Sequence, residues 1–414
     1  MLKILFVFLL IVVSLSDMSI LIGLLFATDK KVATVVKSLP SLVDNNFKPR
    51  LYIVISLFNE SKTIEETIYY FLQFLSEDIR LILVTTEKET ELFGSNKTFE
   101  KIQEILYKLN NSYVSVVNYP GTVGNKGAQL NFLLQEKRAL LDDEKNYFVV
   151  YDCDSRPDKF SIQELYEVAR KGEKVIQQST LYTRNFEMVS TYMQVEGIFE
   201  TIRAIGIERY SYVLTCLKYF DYIMPYAYCV GHGMCFNCKF LYEIGGFPEP
   251  NEDVPQGMKL MLLKQRIVPL VCKDHAAVVR NIRMLFYQSG NWVKAPLQSF
   301  KIVSEINQIK HVSICRKLVF MFNVFGDMFS WFQYALLLMT SVVLIYNQQY
   351  IGLWGMFVII LCPIIQAIIC CKMYKIKMSI KMFAYIPLRN IFRAIAIFSA
   401  LFQKYYKSYN EIER

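Results

Sequence analysis

The sequence lacks internal repeats, low-complexity linkers and a dense, regularly spaced set of cysteines. Ten cysteines scattered over 414 residues exclude a small disulfide-stabilised secreted domain and favour a reducing compartment. A hydrophobic content of 53% excludes disordered and collagen-like chains, while 20% charged residues are too many for a pure bundle of membrane helices. The chain can therefore hold a soluble core together with several membrane segments.

Net positive charge is almost absent outside the C-terminal end. Residues 372–414 contain nine Lys or Arg and two Asp or Glu, so they carry a net +7 of the total +9. A nucleic-acid-binding protein more often spreads basic residues over its folded body, whereas a basic stretch beside apolar segments suits an anionic membrane surface. We therefore expect membrane lipid, and no nucleic acid, among the partners.

The first apolar run, Leu2–Ala27, predicts an N-terminal transmembrane helix within residues 1–28. About 25 residues are enough to cross the roughly 30 Å hydrocarbon layer of a bilayer. A cleaved signal peptide is the alternative, because the apolar core Ile4–Val13 has the length of a signal sequence. No clear cleavage site of small residues follows this core, which favours an anchor.

Two further apolar runs, Trp331–Tyr346 and Ile351–Cys371, are separated by four residues and predict a helical hairpin. The preceding stretch Leu318–Ser330 is expected to form an interfacial helix. A last run, Met382–Phe402, either spans the membrane or lies in its interface, because it carries polar side chains that are costly at a bilayer centre unless they face protein. Those side chains are Arg389, Asn390 and Arg393.

Basic residues flank both outer ends of the hairpin, which by the positive-inside rule places these ends in the cytosol. Cytosolic exposure also avoids glycosylation of three Asn-x-Ser/Thr sites, at Asn59, Asn96 and Asn110. The sequence thus predicts an integral membrane protein with a cytosolic domain at 50–314. Interfacial and transmembrane helices follow at 315–403, and a basic tail at 404–414.

The middle of the chain alternates short apolar runs with amphipathic ones, which is typical of an α/β domain. Five apolar runs are predicted strands: Leu51–Phe58, Leu81–Thr86, Val114–Val117, Tyr147–Asp152 and Lys174–Gln178. The continuous apolar character of these runs predicts a mostly parallel sheet covered by helices on both faces. Ligands of such sheets bind beyond the carboxyl ends of the strands.

Acidic residues gather at those strand ends. Asn59 and Glu60 follow the first strand, Glu87 follows the second, and Asp152 and Asp154 follow the fourth. Two carboxylates one residue apart repel each other, and a divalent cation shared with a diphosphate would stabilise the pair. A solvated acidic turn is the alternative, since a bare Asp-x-Asp is a common pattern.

Five motifs occur together in one order: Ile55–Glu60, Asn125–Asn131, Asp152–Asp154, Gly245–Asp253 and Gln288–Trp292. In this order and at these separations they resemble the membrane-integrated family 2 glycosyltransferases with the GT-A fold, which include cellulose, chitin and hyaluronan synthases. The resemblance covers residues 50–292 and the placement of the membrane helices. It implies a GT-A-like α/β domain between N-terminal and C-terminal transmembrane helices.

The resemblance also implies a role for each motif at the donor side. Asp154, together with Asp152, would ligate Mg²⁺ or Mn²⁺. The nucleotide-sugar site would be formed by Asn59, Glu60, Glu87, Lys126 and Asp152. For Lys126 an ordinary loop charge is the alternative.

At the acceptor side the resemblance implies that Asp253, beside Glu252, is the general base. Its alternative role is a helix N-cap, and a helix N-terminus would lower its pKa. The expected acceptor-binding residues are Gln288, Trp292 and His232. Core packing or anchoring at the membrane interface is the alternative for Trp292.

The implied function is that of an inverting, metal-dependent hexosyltransferase that uses a nucleotide-sugar donor, of UDP type, and a glycan or lipid-linked acceptor at the cytosolic membrane face. Either a polysaccharide is extended, or one sugar is added to a polyprenyl phosphate or lipid. A catalytically inactive scaffold with the same fold is the alternative from another class.

The inactive alternative stays open because the family pattern is incomplete. Asn291 stands where the family has Arg, and the family's Asp after the second strand is absent. Arg283 or Lys294 are the candidates to replace the missing cation.

Two other patterns favour structural interpretations. Cys229, His232, Cys235 and Cys238 recur every three residues, a spacing compatible with zinc. On a strand, however, this repeat would scatter the side chains over both faces. The aromatic and Met-rich stretch Phe186–Phe220 predicts a long packing helix on which Arg203, Glu208 and Arg209 are solvated.

Overall fold

The computed structural model describes residues 1–44, 46–137, 144–217 and 226–401. The predicted basic tail at 404–414 and the end of the stretch Phe186–Phe220 lie outside these residues. Eight strands are found in this part of the chain: β1 Arg50–Ser56, β2 Ile79–Thr86, β3 Val114–Tyr119, β4 Asn146–Tyr151, β5 Arg156–Pro157, β6 Val175–Leu181, β7 Met234–Asn237 and β8 Val268–His275.

The helices fall into three groups along the chain. The first group precedes and covers the sheet: α1 Leu2–Phe26, α2 Asp29–Ser38, α3 Ile64–Leu72, α4 Lys88–Phe93, α5 Lys97–Leu109, α6 Lys126–Glu136 and α7 Ser161–Ala169. The second completes the α/β domain: α8 Thr191–Arg203, α9 Tyr210–Thr215, α10 Cys238–Glu243, α11 Val254–Leu263, α12 Ile282–Lys294 and α13 Ser299–Ile309. The third is C-terminal: α14 Ile314–Ser330, α15 Gln333–Tyr346, α16 Gly352–Tyr374 and α17 Ile380–Leu401.

The strands form one mixed sheet in the order β3-β2-β1-β4-β7-β6-β8-β5. Pairs β1–β2, β1–β4, β2–β3 and β6–β8 are parallel, whereas β7 runs antiparallel to both β4 and β6. The predicted mostly parallel α/β sheet flanked by helices is therefore confirmed. The parallel half brings the carboxyl ends of β1, β2 and β4 to one edge, where ligands of such sheets bind.

Alternation along β1 assigns the two faces of the sheet. Leu51, Ile53 and Ile55 pack with helices α3, α5 and α7 in one core, while Val54 packs with α6, α10 and α11 in the other. Successive side chains of a strand point to opposite faces, so an all-apolar strand needs cover on both sides.

The long helix predicted within Phe186–Phe220 is found as a continuous helical stretch from Thr191 to Thr215 that changes its hydrogen-bond pattern in the middle. Between α8 and α9 the chain forms a π-helical segment, Ala204–Arg209. This segment contacts α1 closely: a Cβ atom placed on Gly23 would lie 1.8 Å from the carbonyl oxygen of Gly206. Small residues allow such close backbone approach between helices.

Within the described part of the chain, two helices, α1 and α16, are long and apolar enough to cross a membrane. Helix α15 passes the same test only together with α14, and the two are bent by 55° at the break between them. The predicted hairpin thus has one bent arm, α14 and α15, and one regular arm, α16. Helix α17 forms over the last apolar run. As described to Leu401, it is not among the helices that are long and apolar enough to cross a membrane.

The expectation of solvated charges on α8 and the π-helical segment is wrong. Arg209 is fully buried and donates to Asp29 over 2.6 Å, and Glu208 is only 4% exposed. Arg203 lies 3.0 Å from Glu200 and 3.5 Å from Glu208. Tertiary packing against α1, β8 and α17 covers a helix that would be amphipathic in isolation.

The polar residues of the last apolar run also face protein. Arg389 lies 3.0 Å from Glu196, and Arg393 pairs with Glu200 on the same helix, α8. These side chains are about nine-tenths buried. Pairing with carboxylates inside the protein removes most of the cost of bringing such charges near the membrane.

Candidate functional site

A cavity of about 1420 Å³ opens at the carboxyl ends of the parallel strands and continues beneath the C-terminal helices. Its outer half is lined by loops that follow β1 and β4 and by the start of α11. Its inner half is lined by side chains of α8, α12, α14 and α17, and by Ile20 of α1. The cavity therefore joins the sheet edge to the apolar helices.

Lys126, at the start of α6, lies at the centre of the outer half. Its ammonium group lies 2.5 Å from Asp152 Oδ1, 2.5 Å from the carbonyl oxygen of Gly231 and 3.5 Å from Glu252 Oε1. A Cβ atom on Gly231 would lie 3.1 Å from Glu252 and 3.5 Å from both Asp253 Oδ2 and Lys126 Nζ. A side chain at position 231 would therefore crowd the cluster.

Electrostatics set the protonation of this cluster. Burial opposes the charge of Lys126, but Asp152, Glu252 and Asp253 raise its pKa above the usual range. Burial raises the pKa of Glu252 to about 7, against the opposing effect of Lys126. Several carboxylates around one lysine favour the binding of further positive charge.

Asp253 serves as the predicted N-cap of α11 and also faces the cluster. Its Oδ1 accepts a hydrogen bond from the Val254 N–H at 2.6 Å, while Oδ2 is the atom close to Gly231. The helix start was expected to lower the pKa of Asp253, but burial raises it and outweighs the backbone hydrogen bond. A higher pKa makes this carboxylate a stronger base.

The loop after β4 carries Asp152 and Asp154, and both line the cavity. Arg184 donates to the Asp154 carbonyl oxygen at 2.8 Å and also to Glu66 at 2.7 Å, which fixes the loop. Among the described residues, no three His, Cys, Asp and Glu side chains form a metal-binding group. Two carboxylates nevertheless fit Mg²⁺ or Mn²⁺ when phosphate oxygens of a ligand complete the coordination.

His232 lines the cavity between the two halves. Its Nδ1 lies 2.8 Å from Asp274 Oδ2 and its Nε2 lies 3.3 Å from the Tyr182 hydroxyl. The cysteines of the three-residue repeat separate, because Cys235 packs on one face of the sheet and Cys229 and Cys238 on the other.

Gln288 and Trp292, both on α12, line the inner half. The guanidinium of Arg203 lies 4.4 Å from the centre of the Trp292 ring, and that of Arg393 lies 5.6 Å from it. Trp331 is 6.3 Å away, centre to centre. Arg203 of α8 and Arg393 of α17 thus lie beside Trp292. The residue before Trp292 is Asn291, where the family has Arg. The two proposed replacements, Arg283 and Lys294, do not line the cavity.

Three predicted donor-site residues follow their strands but differ in position. Glu60 lines the cavity, whereas Asn59 and Glu87 do not. The Asn59 N–H donates to Glu89 at 2.7 Å, and Glu87 accepts a hydrogen bond from Asn118. The Asn59 backbone and the Glu87 side chain thus help to hold the loops after β1 and β2.

Several residues of the cavity are not among those predicted from the sequence. Tyr182 and Arg184 follow β6, and Asp327 lies on α14. The end of β6 is a carboxyl strand end like those of β1 and β4, so the same rule could have directed attention to Tyr182 and Arg184. No local pattern marks Asp327.

The fold resembles solved glycosyltransferases. A mannosyltransferase from Pyrobaculum calidifontis, solved with GDP-Man and Mn²⁺, has a TM-score of 0.54 at 11% identity, covering 98% of this chain and 100% of that one. Glucosyl-3-phosphoglycerate synthase from Mycobacterium tuberculosis, solved with Mn²⁺, UDP and phosphoglyceric acid, has a TM-score of 0.35 at 13% identity, covering 69% and 84%. No protein-family model and no curated protein matches the sequence. The likeness to the mannosyltransferase identifies the GT-A-like fold.

Proposed function

We propose that this chain is a membrane-embedded glycosyltransferase that moves a sugar from a nucleotide-sugar donor to a hydroxyl group of a glycan or lipid-linked acceptor. One observation carries the proposal: the carboxylates of Asp152, from the Asp-x-Asp, and of Glu252, just before α11, both lie within 3.5 Å of the Lys126 ammonium group. They do so in one cavity, at the sheet edge where α/β folds bind ligands.

The outer half is the proposed donor site. Asp152 and Asp154 would hold Mg²⁺ or Mn²⁺, and the bound cation would neutralise charge on the diphosphate. Lys126 bridges Asp152 and Glu252, and it thereby fixes the distance between the donor loop and the start of α11. Positioning of both reactants is worth several kcal/mol in such reactions.

Asp253 is the proposed general base. Its Oδ2 takes the proton of the acceptor hydroxyl as the oxygen attacks the anomeric carbon, while the bond to the diphosphate breaks on the opposite side with inversion. The Val254 N–H holds the other carboxylate oxygen, so the reactive oxygen keeps a fixed direction. Burial keeps water away from this proton transfer.

The acceptor is proposed to enter from the membrane side. The cavity continues from Asp253 to Trp292, Trp331 and Tyr334 beneath α17, and these side chains offer aromatic faces with polar edges. We propose that residues 50–314 are cytosolic and that 1–28 and 315–403 anchor the protein. The basic residues at the cytosolic ends of the anchors support this orientation.

Nucleotide release from purified full-length protein in detergent tests the proposal. The protein is incubated with Mn²⁺ or Mg²⁺, a panel of nucleotide sugars, and either an oligosaccharide or a polyprenyl phosphate as acceptor. We expect release with one donor and loss of release in Asp154→Ala. Asp44→Asn, an exposed aspartate away from the cavity, is the matched control. Absence of release with every donor and acceptor would support an inactive scaffold instead.

A further inference from the structure

Three side chains at or near the ends of three strands form a hydrogen-bonded line that ends at the cavity. Asp274 lies on β8 and is fully buried, His232 precedes β7, and Tyr182 follows β6. Asp274 Oδ2 lies 2.8 Å from His232 Nδ1, and His232 Nε2 lies 3.3 Å from the Tyr182 hydroxyl oxygen. His232 and Tyr182 line the cavity, whereas Asp274 stands behind them.

The chemistry of the three groups sets the direction of the line. The carboxylate of Asp274 only accepts, so His232 Nδ1–H donates to it. Burial disfavours a charged imidazole, but Asp274 raises the pKa of His232 to about 9. At neutral pH the second ring nitrogen therefore also carries a proton and donates to the Tyr182 oxygen. The Tyr182 O–H is left to donate to a third group.

We propose that Asp274, His232 and Tyr182 form a relay that presents the Tyr182 hydroxyl as a hydrogen-bond donor to an anionic oxygen bound in the cavity, that of a nucleoside diphosphate. This inference rests on the proposed function, because the diphosphate is the anionic group of a nucleotide-sugar donor. Tyr182 is the binding residue, and His232 and Asp274 are positioning residues.

The surroundings of the relay support a fixed donor. The Tyr182 backbone N–H donates to Thr201 of α8 at 3.0 Å, and Gln177 holds the His232 carbonyl oxygen at 2.9 Å. Donors that are already oriented need no rearrangement when charge develops on a ligand.

The charges around the relay are paired within the protein. Other titratable groups that face it are Asp152, Lys126, Arg203, Glu200 and Glu208. Lys126 pairs with Asp152, and Arg203 pairs with Glu200 and Glu208. The imidazolium of His232 likewise pairs with Asp274. Its contact with the cavity ligand is indirect, because its second N–H donates to the Tyr182 hydroxyl, which lines the cavity. A hydroxyl that receives a charged hydrogen bond is a stronger donor to an anion.

Calorimetric binding of UDP and of GDP, each with Mn²⁺, to the full-length protein in detergent tests the relay. Tyr182→Phe keeps the ring and removes the donor, so we expect about ten- to hundredfold weaker nucleotide binding. Tyr166→Phe is the matched control, because it likewise removes a tyrosine hydroxyl that is hydrogen-bonded to another side chain, Asp78 at 3.5 Å, but Tyr166 does not line the cavity.

The pH dependence separates a relay from a merely structural role. Wild-type nucleotide binding is expected to weaken as the pH rises through about 9, where His232 loses its proton. The double variant His232→Gln with Asp274→Asn leaves no buried carboxylate unpaired, and it should bind weakly without this pH step. Retained size-exclusion behaviour shows that the variant is folded.

The outcomes are distinguishable. If the wild type binds neither nucleotide, the proposed function fails and the relay fails with it. If the wild type binds one of them and Tyr182→Phe binds it equally well with the same pH dependence, the relay alone is overturned.

Discussion

The outer and inner halves of the cavity arrange charge in different ways. In the outer half, one lysine, Lys126, contacts Asp152 and Glu252, and further carboxylates lie close by. In the inner half, Arg389 and Arg393 of α17 pair with Glu196 and Glu200 of α8, and all four are buried. An excess of carboxylates suits a site whose charge changes when ligands bind, whereas balanced buried pairs suit a permanent contact between helices.

This contrast predicts that a change in the outer half mainly affects turnover. Asp253→Asn removes the proposed base while keeping an oxygen that can cap α11, so we expect about a thousandfold loss of kcat with little change in thermal stability. Nucleotide-release kinetics and thermal unfolding measure the two effects, with Asp44→Asn as control. Wild-type kcat in Asp253→Asn would remove the base assignment.

A change in the inner half should mainly affect folding. Glu196→Gln leaves Arg389 and Arg393 with a weaker partner in a buried setting, and we expect destabilisation of about 3 kcal/mol. Unfolding in detergent measures the loss, and Glu196→Gln combined with Arg389→Gln should recover part of it. If Glu196→Gln abolishes turnover at unchanged stability, the ion pairs between α8 and α17 take part in the reaction and are not only structural.

The contact between α1 and the π-helical segment allows a steric effect on stability to be compared with the effect of the buried charges. Gly23→Ala would bring a methyl group against the Gly206 carbonyl, so we expect about 2 kcal/mol of destabilisation. Gly326→Ala, in α14 with nothing within 4 Å of the new atom, is the control and should be neutral or slightly stabilising. Equal stability of both variants would favour a cleaved N-terminal segment.

The smallest expected effect concerns Glu252. Its pKa is raised in the folded state, so protonation favours folding: this contribution is complete below the unfolded pKa, near 4.5, and is lost as the pH rises through about 7. Glu252→Gln should therefore be more stable than the wild type at pH 8, and the gain should be much smaller at pH 5. Unfolding at the two pH values tests this, and a gain at pH 5 alone would contradict the buried-acid explanation.

The strands were predictable because a strand that is buried on both faces consists of consecutive apolar residues. Each of the five predicted strands is found within a few residues of its expected bounds, since an apolar run such as Tyr147–Val150 has no stable place except between two layers of helices. β7 is not among the five strands predicted from apolar runs, although the repeat at Cys229–Cys238 was considered as a strand. It has four residues and is held between β4 and β6, and so its conformation depends on strands distant in sequence.

The candidate site was predictable where it follows a strand end. Asp152, Asp154 and Glu60 line the cavity for that reason, and Lys126 and Asp253 line it in agreement with the motif order. The charges on α8 could not be assigned from helical periodicity, because the partners of Glu196 and Glu200 lie 193 residues further along the chain. A periodic pattern indicates which face is polar, and it does not indicate what covers that face.

The sequence by itself determined an α/β sheet with acidic residues at its carboxyl edge and apolar helices near both ends, because hydrophobic runs and strand-end positions are local properties. Only the tertiary structure decided that α8 and α17 bury their opposite charges against each other, and that Asp274, His232 and Tyr182 form one hydrogen-bonded line. These contacts join residues 42 to 193 positions apart, and their energies depend on burial that exists only after the elements have packed.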